Sequence, residues 1–290
     1  MDPAPAATPL ADWVGRTQQQ HDALDSDRAA RLAAVLDQDP TTLTDGAALP
    51  PLFHWIYFLT AAPARALGRD GHPVDGGFPP PVPASRRMWA GGRLTFHRPL
   101  VLGRAATRTS RIETVREKSG RTGTLVFVTV RHTITQAGQP AVTEDHDILY
   151  RPEAGISSRR GGPAQAPDAP VGAHTTRTVV CDPVLLFRYS ALTFNGHRIH
   201  YDRDYARDVE GYPGLVVHGP LTATLLAHLA VSTAPGQRLC QFAFRATAPL
   251  FDAQPIGLHA SGQGDERTVW ALNQNDQVAM TATATLAPAA

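Results

Sequence analysis

At 290 residues, with 42% hydrophobic and 18% charged side chains, the chain can bury a sizeable core as one large domain or two of ordinary size. Its formal net charge of +1 gives no electrostatic basis for binding nucleic acid or an anionic membrane. No apolar run approaches the roughly 20 residues that span a bilayer. Met1-Asp2-Pro3-Ala4-Pro5 lacks the marks of a secretory leader, and Cys181 and Cys240 form neither a disulfide framework nor a metal cluster, so a cytoplasmic protein is expected. Lys118 is the only lysine, which leaves guanidinium, well shaped to grip phosphate or carboxylate, as nearly all the positive charge.

In chain order, residues 23–38 predict a helix, with Asp25 or Ser26 as cap and Leu32, Val35 and Leu36 on one face. A second helix is expected from Leu52 to Leu67, started by Pro50-Pro51, apolar nearly all round, bent or ended early by Pro63 and stopped at Gly68. Pro79-Pro80-Pro81-Val82-Pro83 reads as an ordered connection. Strands are expected at Arg93–Phe96, Pro99–Gly103, Ala106–Val115 and Leu125–Thr135. Gly138-Gln139-Pro140 then turns the chain into another strand ending near Tyr150. Residues 152–174, rich in Pro, Gly, Ala and Ser, read as a linker between halves 1–151 and 175–290.

The same order then returns: helical sequence from Gly219 to Ala230, then strands at Cys240–Ala246, Gly257–Ala260, Thr268–Leu272 and Val278–Thr285. A local echo links Phe96-His97-Arg98-Pro99-Leu100 with Ala246-Thr247-Ala248-Pro249-Leu250. One long helix followed by antiparallel strands, twice, suggests duplication. The fold class is α+β, each half a curved antiparallel sheet wrapped around its helix.

The densest polar sequence in an apolar context is Phe194-Asn195-Gly196-His197-Arg198-Ile199-His200-Tyr201-Asp202, followed by Gly214-Leu215-Val216-Val217-His218-Gly219-Pro220 opening a helix. Pro220 suits a first helical position. Gly219 lets a ligand approach and offers an N–H along the positive end of the helix dipole, where a thioester oxygen becoming an oxyanion would be held. A neutral imidazole at His200 can deprotonate water and return the proton, and Asn195 can orient that water.

These two segments resemble the type 2 hydroxyacyl-thioester dehydratases, within the MaoC-like enoyl-CoA hydratases of the hotdog fold. Leu49-Pro50-Pro51-Leu52-Phe53-His54-Trp55, Gly76–Pro83, Arg87-Met88-Trp89-Ala90-Gly91-Gly92 and Glu144–Arg151 resemble the first half of bacterial mesaconyl-CoA hydratases. The resemblance implies a double hotdog hydro-lyase adding water reversibly to an enoyl thioester, with a short branched dicarboxylyl-CoA such as mesaconyl-CoA as substrate. It implies His200 as catalytic base and Gly219 as oxyanion donor. The common pattern places an Asp five residues before the His; here Asn195 stands there, and an amide cannot exchange a proton, so His200 carries more of the acid–base work.

Arg198 is the candidate for a substrate carboxylate or coenzyme A phosphate, with a structurally paired arginine as the alternative. His197 and His200 have no third ligand at recognisable spacing, so no metal is expected. No redox cofactor is expected either, coenzyme A or acyl carrier protein being part of the substrate. A homodimer, with no nucleic-acid or membrane partner, completes the expectation. The rivals are a (3R)-hydroxyacyl dehydratase of fatty chains, a hotdog thioesterase and a non-catalytic acyl-CoA-binding protein.

Overall fold

The computed structural model describes residues 9–74, 78–82, 85–120, 123–152, 169–170, 172–252 and 254–289. The first half runs β1 (Thr17–Asp22), α1 (Ser26–Val35), β2 (Ser85–Phe96), β3 (Ala106–Gly120), β4 (Gly123–Gln136) and β5 (Gln139–Pro152). The second runs β6 (Thr175–Val180), α2 (Pro183–Leu192), α3 (Gly219–Ser232), β7 (Gln237–Ala246), β8 (Pro255–Ser261), β9 (Glu266–Leu272) and β10 (Val278–Pro288). Most of the expected linker, residues 153–168 and 171, lies outside the described residues. Among the described residues no helix is long and apolar enough to cross a membrane.

Two antiparallel sheets of five strands meet edge to edge in the order β1-β3-β4-β5-β2-β7-β10-β9-β8-β6, so one half mirrors the other across the β2–β7 seam. Glycine makes the seam possible. A Cβ on Gly91 would stand 2.5 Å from the Phe244 carbonyl oxygen, and one on Gly92 would stand 2.9 Å from the Phe244 ring.

The duplication suggested by element order is written in the backbone bonds. Asp25 caps α1 through the Arg28 N–H, and Asp182 caps α2 through the Leu185 N–H. After β2, the N–H groups of His97 and Arg98 donate to Ala141 O; after β7, those of Thr247 and Ala248 donate to Ala279 O. Leu49 N–H donates to Leu100 O as Val217 N–H donates to Leu250 O. The sequence echo at Pro99 and Pro249 therefore marks equivalent positions. The Pro99–Gly103 segment forms one isolated bridge, Ala48 with Val101, instead of the expected strand, because its backbone is spent on this crossing.

By the same equivalence, Pro50-Pro51 corresponds to the start of α3, and here the halves part. α3 is buried nearly all round and packs on β7, β8, β9 and β10 as a central helix. The helix expected from Leu52 to Leu67 is instead two short 3-10 turns, Phe53–Ile56 and Ala64–Ala66, the first bounded by left-handed Leu52 (φ 68°) and Phe58 (φ 56°). Remote side chains capture the backbone of the first. Asp22 accepts the Phe58 N–H at 2.9 Å, Arg28 donates to Ile56 O at 3.2 Å, and Arg108 donates to Phe58 O at 2.9 Å. Those groups would otherwise propagate a helix. The described chain after the turn, residues 57–74 and 78–82, thereby takes no central-helix path.

The main core spans both halves, from Leu24, Phe53 and Leu94 to Leu226, Phe242 and Val269. A second cluster, Ile112, Val126, Val128, Val130, Ile148 and Tyr150, fills the far end of the first sheet.

Candidate active site

The second half reserves residues 193–218, between α2 and α3, for the polar motif. α2 ends at Leu192, and Phe194 takes a left-handed conformation (φ 50°) that turns the chain sharply. The Asn195 N–H returns to Ser190 O at 2.9 Å, and its side-chain oxygen accepts the His197 N–H at 3.0 Å. Asn195 thus braces the turn through its oxygen and has its amide nitrogen left as a donor.

His200 closes the 3-10 turn Arg198–His200 and is 8% exposed. Its Nδ1 lies 2.7 Å from Val216 O. A carbonyl only accepts, so Nδ1 carries the hydrogen and Nε2 presents the lone pair. Burial pushes the ring down to about 4, against the opposing pull of the Val216 bond. His200 is a neutral base at ordinary pH.

The His200 ring stacks on that of His218, with centroids 3.7 Å apart and planes at 18°. His218 is the residue just before α3, so the stack sets His200 against the helix start that Gly219 and Pro220 form. Outside its own chain neighbours and helix backbone, nothing lies within 4 Å of where a Gly219 Cβ would be, so this face of the helix start is open. The stack thus joins His200 to the Gly219 helix start, while Asn195 is tied to the same segment through the His197 N–H and Ser190 O. His218 is buried, its Nε2 lies 2.8 Å from Ser190 Oγ, and its Nδ1 has no partner among the described residues. Burial holds it well below the usual histidine range.

Arg198 is already occupied. Its Nε and Nη2 donate to Asp202 at 3.0 and 2.7 Å, Nη1 donates to Arg69 O at 3.2 Å, and the guanidinium lies 4.1 Å from the Tyr205 ring centroid. Asp202 also caps the next turn by accepting the Tyr205 N–H. The side chain expected to meet a substrate anion is thus committed to holding this segment together.

The sequence reading missed a contribution from the first half. Within residues 57–74, Gly68 N–H donates to His72 O at 2.7 Å and Leu67 bridges Pro73, which makes a tight loop. Asp70 O accepts the Arg198 N–H at 2.9 Å. The loop presses on Gly196 so closely that a Cβ on Gly71 (φ 90°) would stand 1.9 Å from the Gly196 carbonyl oxygen. The Asp70 side chain accepts both the N–H and, at 3.1 Å, the ring Nδ1 of His72. The His72 ring packs 4.2 Å from that of His197, which meets His200 edge-on at 5.4 Å. Polar atoms of Asp70, His72 and His197 lie within 4.8 Å of one another. His197 and His200, weighed from their spacing, stand perpendicular and do not converge. Glycine beside an Asp-x-His was the one local signal for this loop. Gly71→Ala is expected to lift the loop off Gly196 and lower kcat by about 100-fold, the cost of a displacement near 1 Å, with little change in far-ultraviolet circular dichroism; steady-state rates check this.

The fold and this geometry define a double hotdog protein with a buried, neutral histidine beside a helix N-terminus. The family model for hydroxyacyl-thioester dehydratase type 2 matches residues 52–252, and the chain belongs to that family. The mesaconyl-C(4)-CoA hydratase of Chloroflexus aurantiacus is 48% identical over 274 residues, 94% of this chain and 96% of that protein. The mitochondrial hydroxyacyl-thioester dehydratase type 2 of Schizosaccharomyces pombe is 30% identical over 75% of this chain and 79% of its own. Among solved structures, a MaoC-like dehydratase superposes with a TM-score of 0.71 at 18% identity, covering 97% of this chain and all of that one. A Mycobacterium tuberculosis protein described as a double hotdog fold gives 0.60 at 15% identity over 97% of this chain and 99% of its own. The architecture expected from the sequence is the one these neighbours share.

Proposed function

We propose that the protein adds water reversibly to an α,β-unsaturated acyl thioester, with mesaconyl-C4-CoA or a similar short branched dicarboxylyl-CoA as substrate. One observation carries the reading: His200 is buried, neutral, fixed through Nδ1 with Nε2 left as the lone-pair nitrogen, and stacked on His218, the residue just before the helix start at Gly219. In this reading the thioester oxygen lies against the Gly219 N–H, where helix dipole and amide stabilise charge as the enolate forms. His200 removes a proton from water while the hydroxide oxygen bonds the β-carbon. The Asn195 amide holds that water, and the α-carbon takes up the proton that completes the addition. The relative of known name at 48% identity supports the substrate. The yeast relative supports a second reading, dehydration of (3R)-hydroxyacyl chains.

Incubating the protein with a panel of enoyl-CoA esters and reading products by mass tests both. The expected result is gain of one water on mesaconyl-C4-CoA. Activity rising with longer saturated tails would favour the fatty substrate, and release of free thiol without hydration would mean a thioesterase. Asn195→Ala is expected to lower kcat about tenfold to 100-fold, within the range of acid–base and water-orienting groups, measured on the best substrate of that panel. We further propose a homodimer working in the cytoplasm, with no nucleic-acid or membrane partner, in line with the near-neutral net charge of +1; light scattering on the purified protein tests the dimer.

A further inference from the structure

Completing the addition needs a proton at the α-carbon, and the Asn195 amide cannot exchange one. The structure supplies one from the other half. Four imidazoles form an unbroken row: His218 stacks on His200 at 3.7 Å, His200 meets His197 at 5.4 Å, and His197 packs on His72 at 4.2 Å. Asp70 ends the row, 3.1 Å from His72 Nδ1. The inner end is buried, whereas the side chains of His72 and Asp70 are 31% and 41% exposed. The row therefore runs from the base to solvent.

The outer pair is held with care. Gly71 touches Gly196, Asp70 O and Arg69 O receive donors from Arg198, and Asp70 accepts both N–H groups of His72. A carboxylate on Nδ1 fixes the tautomer, turns Nε2 into the working end and stabilises the imidazolium. We propose that the Asp70–His72 dyad is the second proton carrier of this active site.

The step balances and rests on the reading of His200 as base. Water gives a proton to His200 Nε2 as its oxygen bonds the β-carbon. The alkene electron pair moves into the enolate held at Gly219. His72, as imidazolium, delivers a proton to the α-carbon and the thioester carbonyl re-forms. The proton on His200 then returns to His72 through His197. One water is added and both histidines regain their starting states. Burial alone would raise the Asp70 carboxyl, but its hydrogen bonds to His72 hold it down at about 2, so the dyad keeps its negative member. The charged and titrating groups facing His72 are Asp70 on its own loop and His197 and His200 from the second half. Arg69 and Tyr205 lie beyond Asp70, and Arg198 is turned to Asp202.

The test compares wild type with His72→Gln, Asp70→Asn and His200→Gln on the best enoyl-CoA. With His72→Gln, kcat is expected to fall about 100-fold, KM to stay within about threefold, and the alkaline limb of the kcat profile to vanish. Asp70→Asn, which removes the carboxylate 3.1 Å from His72 Nδ1, is expected to lower kcat with KM little changed. Nitrogen-15 spectra of the His72 ring without substrate should show the hydrogen on Nδ1 in wild type and a changed tautomer balance in Asp70→Asn. A wild-type rate in His72→Gln, or a lower rate with the alkaline limb intact, overturns the proposal. So does stoichiometric uptake of Zn²⁺ by wild type that His72→Gln abolishes, since the cluster would then be a cation site. Full turnover in His200→Gln would instead overturn the reading of His200 as base, on which the step rests.

Discussion

His200→Gln is expected to lose hydration almost completely, with kcat down about 1,000-fold, while the fold remains. The amide of glutamine can still donate to Val216 O, the bond His200 makes at 2.7 Å, so the turn it closes need not open. The remaining side chain has no lone pair basic enough to take a proton from water. General acid–base groups contribute about 10² to 10⁴ in rate, and a base that also lacks the usual carboxylate neighbour belongs near the upper part of that range. Substrate affinity should change little, because the helix start at Gly219 and the open space at its Cα are untouched. Comparing kcat and KM with the melting temperature separates this outcome from misfolding. Loss of rate together with loss of the fold would not support a catalytic role.

Stability is expected to collapse in mild acid, at pH values where most proteins still resist. Burial pushes His132, His200 and His228 down to about 4 and His146 to about 3, and it holds His218 well below the usual range. In the unfolded chain each titrates near 6.5. Between about pH 6.5 and 4 the unfolded state therefore binds protons that the folded state refuses, so stability is full above that window and lost as pH falls through it. Each such histidine removes about 1.4 kcal/mol per pH unit. Several acting together are comparable with the whole stability of a domain, about 5–15 kcal/mol. Glu144 adds nothing until lower pH: burial would raise its carboxyl, but His54 holds it down at about 2. Circular dichroism against pH should show a midpoint between pH 4 and 6, and a fold unchanged at pH 4 would refute this account.

Much of the architecture is legible along the chain, and the exceptions have physical causes. Strands β4, β9 and β10 announce themselves through β-branched residues, and the polar motif before Gly219 stands out because few apolar contexts tolerate such density. β1 and β6 are nearly silent. They are short edge strands, Thr17–Asp22 and Thr175–Val180, mostly exposed, and carry no apolar alternation. α2 had a readable start in Asp182-Pro183, an N-cap followed by a first-turn proline. The helix expected after Pro51 fails for a reason no local window contains, since Asp22, Arg28 and Arg108 arrive from elsewhere to take its backbone groups. The site divides in the same way. His200, Asn195 and Gly219 come from one stretch, whereas Asp70 and His72 reach them across more than a hundred residues, and Arg198 lost its expected freedom to Asp202.

The short turn at Phe53–Ile56 matters beyond secondary structure. Each repeat is long where the other is short: the second spends its extra residues between its two helices, and the first spends them where a central helix would have continued. The two copies have become complementary parts, one keeping the rod and the base, the other exchanging its rod for an arm that reaches its twin. Neither repeat paired with itself would rebuild this site, so the ancestral symmetry survives in the sheet and is gone from the chemistry.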